Sequence, residues 1–409
     1  MKFHHIVLAA LLGIGVVTVS TAATAGADPT VLIVGHSSIC TGTYPTISSA
    51  VAAAASGDTI QVCAGTYDET VNVPIPLNFV GAKANMKGTR KVTASKESTV
   101  SSPTGDFIIG GGASGTTING FTLSGAGSDA ITAYGILSIA GANGLTVKDN
   151  VIENNEEGIN FYNADGSQPS SITYNAFIAN SNGTTAEGGT GVFISNGPAN
   201  NTSISYNYFS GDRQTAINFA GSTGDDSVGL TVANNKSVDD ATFLVAINSD
   251  NALVSKNKVS FTGTGNGTAI LDYGDNQNLR ITGNTISGGA DSGTSGIKLA
   301  DFAGSPSVGT TVSKNKVTGR YWGIRIQAPT NPGPGYTSAL VSNNTVIGSA
   351  AEGILSEAGA NNVFTANHIS DSSVHDCQDE TTGSASFGTA NTWHGNFGYS
   401  SNSSPTGIC

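Results

Sequence analysis

Two basic residues occupy the same place in two related segments, GIKL at 296–299 and GIRI at 323–326. If both segments are stacked strands, Lys298 and Arg325 stand about 5 Å apart at the backbone. Like charges at this distance repel each other unless nearby carboxylates compensate them, and we expect Asp301 and Asp272 to be those carboxylates. Basic groups and carboxylates in one cleft can transfer protons, so Lys298, Arg325 and Asp301 are candidate catalytic residues. The alternative is a solvated face crossed by salt bridges.

Three further side chains are expected on the same surface, namely Tyr273, Trp322 and Gln327. Aromatic side chains beside a few polar groups are typical of ligand sites, and the combination suits sugar rings. We therefore predict that these three residues bind carbohydrate.

A second group is acidic and lies in loops that precede predicted strands. Its members are Glu156, Glu157, Glu187, Asp212, Asp239 and Asp240. Converging carboxylate oxygens bind Ca²⁺, and Glu157, Glu187, Asp239 and Asp240 are the candidate ligands. A carboxylate pair held about 5–10 Å apart could instead hydrolyse a glycosidic bond. Solvated loops are the alternative to both.

Composition indicates many short strands and tight turns, because the chain has 54 Gly and only 11% charged residues. Its 38% hydrophobic residues are evenly spread, which favours one long thin core over several globular domains. The net charge of −12 opposes nucleic-acid binding. It also opposes a polyanionic sugar unless Ca²⁺ bridges the two. We expect a monomer whose partner is an extracellular polysaccharide, with no nucleic-acid or membrane partner.

Residues 1–27 have the layout of a secretory signal peptide. Lys2 precedes an apolar run from Ile6 to Val19, and Ala25-Gly26-Ala27 follow before Asp28. The apolar run is too short to favour a membrane span. We expect a secreted protein.

The four cysteines, Cys40, Cys63, Cys377 and Cys409, allow three pairings. Two lie near each end of the chain, which favours the local pairs Cys40–Cys63 and Cys377–Cys409. Each closed loop contributes about 3 kcal/mol in the chain-entropy model.

One motif recurs nine times: an apolar residue, two others, Asn, and usually another apolar residue two positions later. The nine copies are Asn150, Asn175, Asn207, Asn235, Asn257, Asn284, Asn315, Asn344 and Asn367. Neighbouring copies are 22 to 32 residues apart, and a β-helix coil needs at least about 20 residues. A second strand follows each Asn and usually opens with a small residue. Asn suits the turn between two strands, and stacked Asn side chains can bond as a ladder.

Both ends of such a stack need covers, because open strand edges aggregate. At the N-terminal end, Ile47, Ala50, Val51 and Ala54 have helical spacing, and Gly57 is placed to end the helix. At the C-terminal end the repeat is lost after residue 375. We predict a signal peptide at 1–27, the capped β-helix at 28–375 and a disulfide-stapled C-terminal cap at 376–409.

The segment PTISSAVAAAASGDTIQVCAGTYDETVNV at 45–73 resembles the entry to pectin-lyase-like right-handed β-helix proteins, and the Asn coils resemble the repeat of that family. The resemblance implies an all-β fold: a single-stranded right-handed parallel β-helix of about 10 coils with a helical N-terminal cap. It also implies that Arg213 beside Asp212 could serve as the base of a Ca²⁺-dependent β-elimination.

The active-site signatures of that family's enzymes are incomplete here. A DFIIG segment at 106–110 resembles a pectin methylesterase motif but lacks its amide and arginine partners, and Asp106 is better explained as a turn residue. The Asp–His motifs of pectate lyases and mannuronan epimerases are absent. We expect a protein that binds and can modify extracellular polysaccharide. The alternatives are a polysaccharide lyase or glycoside hydrolase, and a purely structural or adhesive surface protein.

Overall fold

The computed structural model describes residues 28–37, 40–127, 133–181, 188–194, 197–220, 226–263, 267–301, 305, 307–329, 335–398 and 402–409. Three parallel sheets of 14, 13 and 13 strands make up nearly all of its regular structure. The chain visits sheet 1, sheet 2 and sheet 3 in turn and then begins the next coil. The predicted right-handed parallel β-helix is confirmed, with thirteen coils that reach all three sheets rather than about ten. The predicted signal peptide lies outside the described residues.

The strands are short and follow one another in a fixed order. Sheet 1 contains Val31–Val34, Thr59–Val62, Asn78–Val80, Thr117–Asn119, Thr146–Lys148, Ser171–Thr173, Ser203–Ser205, Thr231–Ala233, Leu253–Ser255, Arg280–Thr282, Thr311–Ser313, Leu340–Ser342, Val363–Thr365 and Thr392–His394. Sheet 2 contains Gly65–Tyr67, Ser98–Val100, Thr122–Ser124, Val151–Glu153, Ala176–Ile178, Tyr208–Ser210, Lys236–Val238, Lys258–Ser260, Thr285–Ser287, Lys316–Thr318, Thr345–Ile347, His368–Ser370 and Phe397–Gly398. Sheet 3 contains Val71–Val73, Phe107–Ile109, Tyr134–Ser138, Glu157–Asn160, Thr190–Ile194, Thr215–Ala220, Thr242–Ile247, Ile270–Asp272, Ser295–Leu299, Trp322–Ile326, Ile354–Ser356, Cys377–Asp379 and Ser403–Ser404.

A few elements lie outside the three sheets. His36–Ser37 pairs with Cys40–Thr41, and Ser227–Val228 pairs with Ser249–Asp250. The helices are Ile47–Ala53 and two short 3₁₀ turns, Ala94–Lys96 and Ser386–Gly388. None of the helices in the described part of the chain is long and apolar enough to span a bilayer.

Each coil has three strands, whereas the sequence motif predicted two. The additional strand is the one in sheet 2, which directly follows the repeated Asn and is mostly three residues long. The apolar residue two positions after each Asn is its inward residue. Phe177 and Phe209, for example, occupy this place in neighbouring coils and stack with ring centroids 4.8 Å apart.

The repeated asparagines form a continuous hydrogen-bonded ladder at the turn between sheets 1 and 2. The Nδ2 of Asn175 donates to Oδ1 of Asn207 at 3.1 Å and to the Val147 carbonyl at 2.9 Å. Its own Oδ1 accepts from the backbone nitrogen and Nδ2 of Asn150, both at 3.0 Å. The same pattern runs through all nine predicted residues and ends on a tenth, Asn396. The ladder satisfies buried backbone groups that a turn would otherwise leave unpaired.

The small residue that opens many sheet 3 strands is required by close packing. A Cβ on Gly158 would lie 2.4 Å from the Gly191 carbonyl oxygen and 2.9 Å from the Phe177 ring. A Cβ on Gly323 would meet the Gly353 carbonyl oxygen at 2.4 Å. These contacts explain why the motif begins with Gly in so many coils.

The N-terminal end is covered by the predicted helix, which runs from Ile47 to Ala53 and buries Ile47, Ala50 and Val51. Thr46 caps its first turn, and Glu69 accepts from the backbone nitrogens of Ile47 (2.7 Å) and Ser48 (2.9 Å). The helix ends at Ala53, before Gly57, so the expected role of Gly57 in ending it is wrong.

The C-terminal segment continues the coil instead of leaving it. Residues 376–409 add strands to all three sheets, and Trp393 stacks on Phe364 with ring centroids 3.9 Å apart. The sequence motif does not predict this coil because Trp393 and Gly398 occupy the two positions that are usually aliphatic. Both predicted disulfides are confirmed, Cys40–Cys63 and Cys377–Cys409, and the second closes this last coil.

The ladder yields a direct stability test on two adjacent asparagines. Asn344 is fully buried in the ladder, whereas Asn343 is exposed and has a left-handed backbone with φ of 55°. We expect Asn344→Ala to lower the free energy of unfolding by about 3 kcal/mol, because it leaves several buried polar groups without partners. The matched control Asn343→Ala should cost about 1 kcal/mol, through its backbone conformation alone. Denaturant titration of both variants measures this, and equal losses would contradict the ladder's importance.

Candidate functional site

Lys298 and Arg325 are register partners in neighbouring strands of sheet 3, and both point outward. The inward positions beside them are filled by Ile297, Leu299, Ile324 and Ile326, all fully buried. The outer face of sheet 3 around these two residues is the candidate site.

Arg325 is held in place by a carboxylate and an aromatic ring. Its Nη2 and Nε lie 2.6 Å and 2.8 Å from Oε1 of Glu357, and Oε2 of Glu357 accepts from the Ala328 backbone nitrogen at 2.9 Å. The guanidinium carbon lies 3.9 Å from the centroid of the Trp322 ring. Both charged side chains are about one-seventh exposed, so this ion pair is stronger than a freely solvated one.

The expected acidic partners of the basic pair are not the ones observed. Asp272 aligns with Leu299, one residue past the outward position, and its side chain points into the core. There it accepts from Ser307 Oγ, Asn276 Nδ2, Thr310 Oγ1 and the Tyr336 hydroxyl. Asp301 is also buried, and neither of its oxygens has a hydrogen-bond partner among the described residues. The alternation of side chains along the strand therefore removes Asp272 from this face.

The three predicted carbohydrate-binding residues lie on the same outer face. Trp322 is partly exposed, packs edge-on against Tyr321 at 4.6 Å, and donates from Nε1 to Oε2 of Glu352 at 2.8 Å. Gln327 lies two residues beyond Arg325, and Tyr273 lies two coils earlier along the same row. Both are partly exposed.

Sequence reasoning missed the two carboxylates of this cluster, Glu352 and Glu357. The signal was available, because Leu355 occupies the Arg325 position in the next coil and Glu357 lies two residues beyond it on the same face. Glu352 directly precedes the small residue that opens that strand. The third-sheet cluster, as we define it, consists of Lys298, Trp322, Arg325, Glu352 and Glu357.

Lys298 is half-buried beside Arg325. Burial lowers the pKa of its amine, the positive charge of Arg325 lowers that pKa further, and Glu357 partly opposes both effects. The described residues contain no carboxylate in ion-pair contact with Lys298. An amine with a lowered pKa can accept a proton closer to neutral pH than ordinary lysine.

A buried arginine holds the loops that flank the cluster. Arg320 donates to the carbonyl oxygens of Gly288 (2.8 Å), Ser295 (3.1 Å) and Gly267, and its guanidinium lies 4.3 Å from the Phe261 ring centroid. Burial lowers its pKa to about 10. The bonded loops lead into the strands that carry Leu271 and Lys298, so Arg320 makes this side of the face rigid.

The acidic loop residues do not gather around one point. Glu157 is buried in a sheet 3 strand, and Asp239 binds the Thr262 backbone nitrogen (2.6 Å) and hydroxyl (2.5 Å) in the next coil. Asp240 is fully buried, and Glu187 lies outside the described residues. Within the described part of the chain, no three acidic, histidine or cysteine side chains are grouped as metal ligands. Ca²⁺ binding by these residues stays a prediction.

Asp212 and Asp240 belong to a second ladder, at the turn between sheets 2 and 3. Asn155, Asn180, Asp212 and Asp240 follow one another, and Oδ1 of Asp212 accepts from the backbone nitrogen (3.0 Å) and Nδ2 (3.1 Å) of Asn180. Oδ1 of Asp240 accepts from the Asp212 backbone nitrogen at 2.9 Å. Arg213, next to Asp212, is exposed and donates to the Gly188 carbonyl at 2.9 Å. The two candidate catalytic residues thus face different surroundings.

A carboxyl group in this ladder works like an amide only if it carries a proton. Burial, and then the charge of Asp240, raises the pKa of Asp212 well above its usual range. Burial raises the pKa of Asp240 to about 7. The Oδ2 of Asp212, which replaces the amide nitrogen of Asn180, has no hydrogen-bond partner among the described residues, and burying such an oxygen costs less in a neutral carboxyl than in a carboxylate.

Comparisons with known proteins agree with this architecture. The family model described as "Right handed beta helix region" matches residues 223–397. The catalytic domain of a GH87 α-1,3-glucanase variant in complex with nigerose superposes with a TM-score of 0.60 at 15% identity, covering 89% of this chain and 68% of that one. A GH87 α-1,3-glucanase catalytic domain with tetrasaccharides gives a TM-score of 0.53 at 16% identity, covering 90% and 69%. No curated protein matches the sequence.

The chain folds as a right-handed parallel β-helix, like the region and the structures that it matches. At 15–16% identity, the likeness to the glucanases shows the fold alone. What this β-helix does must be argued from its own third-sheet cluster.

The Asp212–Asp240 pair predicts an unusual pH dependence of stability. Because folding raises both pKa values above the unfolded range near 3.8, the folded protein is favoured at low pH and loses stability as the pH rises from about 4 to above 7. Asp212→Asn should reduce the fall in melting temperature between pH 5 and pH 8. The control Asp239→Asn changes a neighbouring carboxyl whose pKa is lowered by Thr262. That control should lower the melting temperature equally at both pH values, and an unchanged slope in Asp212→Asn would refute the raised pKa of this pair.

Proposed function

We propose that this β-helix is a secreted protein that binds extracellular polysaccharide on the outer face of sheet 3, at the third-sheet cluster. The observation that carries the proposal is the fixed arrangement of Trp322, with Arg325 over its ring at 3.9 Å and Glu352 on its indole nitrogen at 2.8 Å. A partly exposed indole edge next to oriented charged groups offers both the apolar and the hydrogen-bonding contacts that a sugar requires.

The row of outward positions extends this site along the helix. Tyr273, Gln327 and Glu357 lie in successive or nearby coils at the spacing of adjacent strands, about 4.8 Å per coil. A polymer that lies along the helix axis would therefore meet a polar or aromatic side chain in several coils. The glucanase structures with nigerose and tetrasaccharides support a glycan as the ligand class for this fold.

Secretion is the second part of the proposal. The two disulfides favour an oxidising compartment, because reduced thiols are the rule in the cytosol. The signal-peptide layout of residues 1–27 agrees with that location.

A catalytic function, as a polysaccharide lyase or glycoside hydrolase, is the second candidate. Lys298 favours it, because its pKa is lowered and it lies beside Arg325 on the face that also carries Glu357. The ion pair between Arg325 and Glu357 counts against it, because it occupies two of the groups that would react. A purely structural or adhesive role is the remaining alternative.

Tryptophan fluorescence can report ligand binding at the proposed site. The chain has only two, Trp322 on the third-sheet cluster and Trp393 in the core. We expect α-1,3-glucan oligosaccharides or another glycan to change the tryptophan fluorescence of the secreted protein, and Trp322→Phe to abolish that change. Trp322→Ala should weaken binding about tenfold, a loss of about 1.4 kcal/mol. Phe387→Ala, which removes an exposed aromatic ring in the last coil, is the control. Retained affinity in Trp322→Ala would remove the site from this face.

An activity screen separates the catalytic candidate from the binding one. The secreted protein is incubated with pectate, alginate, hyaluronan, xylan and glucans, with Ca²⁺ or a chelator, and unsaturated and reducing ends are both measured. A lyase that uses Lys298 as base should produce unsaturated ends that Lys298→Met abolishes, while Lys83→Met leaves them unchanged. Unsaturated ends that disappear with chelator would support the Ca²⁺ prediction. Reducing ends without unsaturated ends would indicate a hydrolase. If no substrate gives a product, the binding function is the candidate that remains.

A further inference from the structure

The net charge of −12 conceals a region of the surface that carries no acid. In four consecutive coils, the stretches 231–238, 253–260, 280–287 and 311–318 form the sheet 1 strand, the Asn turn and the sheet 2 strand. None of these stretches contains Asp or Glu. Their exposed basic side chains are Lys236, Lys256, Lys258, Arg280, Lys314 and Lys316.

Five of these side chains form two parallel rows beside the Asn ladder. Lys236 and Lys258 are register partners in sheet 2, and Lys316 follows two coils later with Thr285 between. Lys256 and Lys314 each directly precede a ladder Asn, again two coils apart. At about 4.8 Å per coil, ammonium groups therefore recur every 5 to 10 Å along the helix axis. We call Lys236, Lys256, Lys258, Lys314 and Lys316 the lysine ridge.

No ridge lysine forms an ion pair in the described part of the protein, and the ammonium of Lys236 lies 5.4 Å from the centroid of the Tyr208 ring. Lys236 and Lys258 stand directly opposite each other, which is unfavourable unless a negative ligand lies between them.

Lys256 and Lys314 occupy the left-handed turn position directly before a ladder Asn, both with φ of 56°. Other coils place Asn, Gly, Asp, Tyr or Ala at this position, so the fold does not require a lysine there.

A shallow groove lies along the ridge. It has a volume of about 240 Å³ and is lined by Lys236, Lys258, Val259, Ser260, Thr285 and Ser287. Hydroxyl groups beside the ammonium groups provide hydrogen bonds to sugar hydroxyls in addition to charge.

We infer that the lysine ridge binds an acidic polysaccharide, whose carboxylate or sulfate groups on successive sugars contact lysines on successive coils. A single straight row flanked by Ser and Thr suits one extended chain of sugars. Duplex nucleic acid carries one charge per about 1.7 Å of its axis, a much denser spacing than ammonium groups that recur every 5 to 10 Å in a single row. This surface is separate from the third-sheet cluster and does not depend on the function proposed for it.

The ridge can be tested by the retardation of the secreted protein in native affinity gels that contain polygalacturonate or dextran sulfate. Neutral dextran and a single-stranded DNA oligonucleotide are the comparison probes. We expect binding to polygalacturonate that weakens steeply with salt and no binding to dextran. Lys258→Gln/Lys314→Gln/Lys316→Gln should weaken it about tenfold or more. The matched control Lys83→Gln/Lys91→Gln/Lys96→Gln removes the same charge elsewhere and should retain affinity, as should the triple Lys→Arg variant of the ridge.

Each other result overturns the inference. Equal losses in the two glutamine triples would mean that net charge alone matters. Absence of polygalacturonate and dextran sulfate binding at low salt would remove the acidic polysaccharide as ligand, and tighter binding to the oligonucleotide would replace it with nucleic acid. The ridge triple should melt at the wild-type temperature, since all three side chains are exposed. Trp322→Ala should leave polygalacturonate binding unchanged, so failure of the third-sheet site and failure of the ridge are distinguishable.

Discussion

The register of the stack depends on one interaction, the amide-to-amide hydrogen bond between asparagines of neighbouring coils. Each buried amide binds the next one and also the carbonyl of the preceding sheet 1 strand, so a slipped coil would leave several buried polar groups unpaired at once. Loops between sheets 2 and 3 and between sheets 3 and 1 vary in length without disturbing this register. Because the register is fixed, outward side chains at equivalent positions of successive coils form a straight row along the helix. An extended polymer can contact several side chains of such a row.

The second ladder extends the same principle to acids. Where Asn180 is followed by Asp212 and Asp240, the Oδ1 atom of each carboxyl accepts the backbone hydrogen bond that an Asn Oδ1 accepts in the preceding coils. Asp212 is a candidate catalytic residue and Asp240 a candidate Ca²⁺ ligand, and the structure places both of them, buried, in this turn. Their roles towards a glycan or Ca²⁺ stay predictions.

The sequence predicted the architecture well, because the fold repeats its physical requirements. Most coils have an Asn at the turn between sheets 1 and 2 and a small residue at the start of the sheet 3 strand, so both recur along the sequence. The cysteines lie only near the two ends, where they close the first and last coils. The sheet 2 strand escaped notice because three residues with one inward side chain leave no alternating pattern to detect. The first coils lack the ladder Asn, so the sequence motif underestimates the number of coils.

At the site, the shared motif aligns Lys298 and Arg325 correctly, but the predicted position of Asp272 on the outer face is wrong. One residue decides between core and solvent in a strand, and Asp272 aligns with the inward Leu299. Glu352 and Glu357 belong to a coil in which Leu355 occupies the position of Lys298 and Arg325. The shared basic motif therefore does not extend to that coil.

Net charge was the least informative sequence property for ligand class, and the reason is geometric. In a globular protein a few lysines scattered through an acidic sequence are scattered over the surface as well. In a β-helix, residues some 20 to 30 positions apart in sequence lie one coil apart in space, so Lys256, Lys258, Lys314 and Lys316 become neighbours although they are distant in the chain. Four coils whose sheet 1 strand, Asn turn and sheet 2 strand contain no Asp or Glu then present a positive row, whatever the sum over all 409 residues. Screening within about 8–10 Å at physiological salt makes that local row, and not the distant acids, the charge that a bound polymer meets.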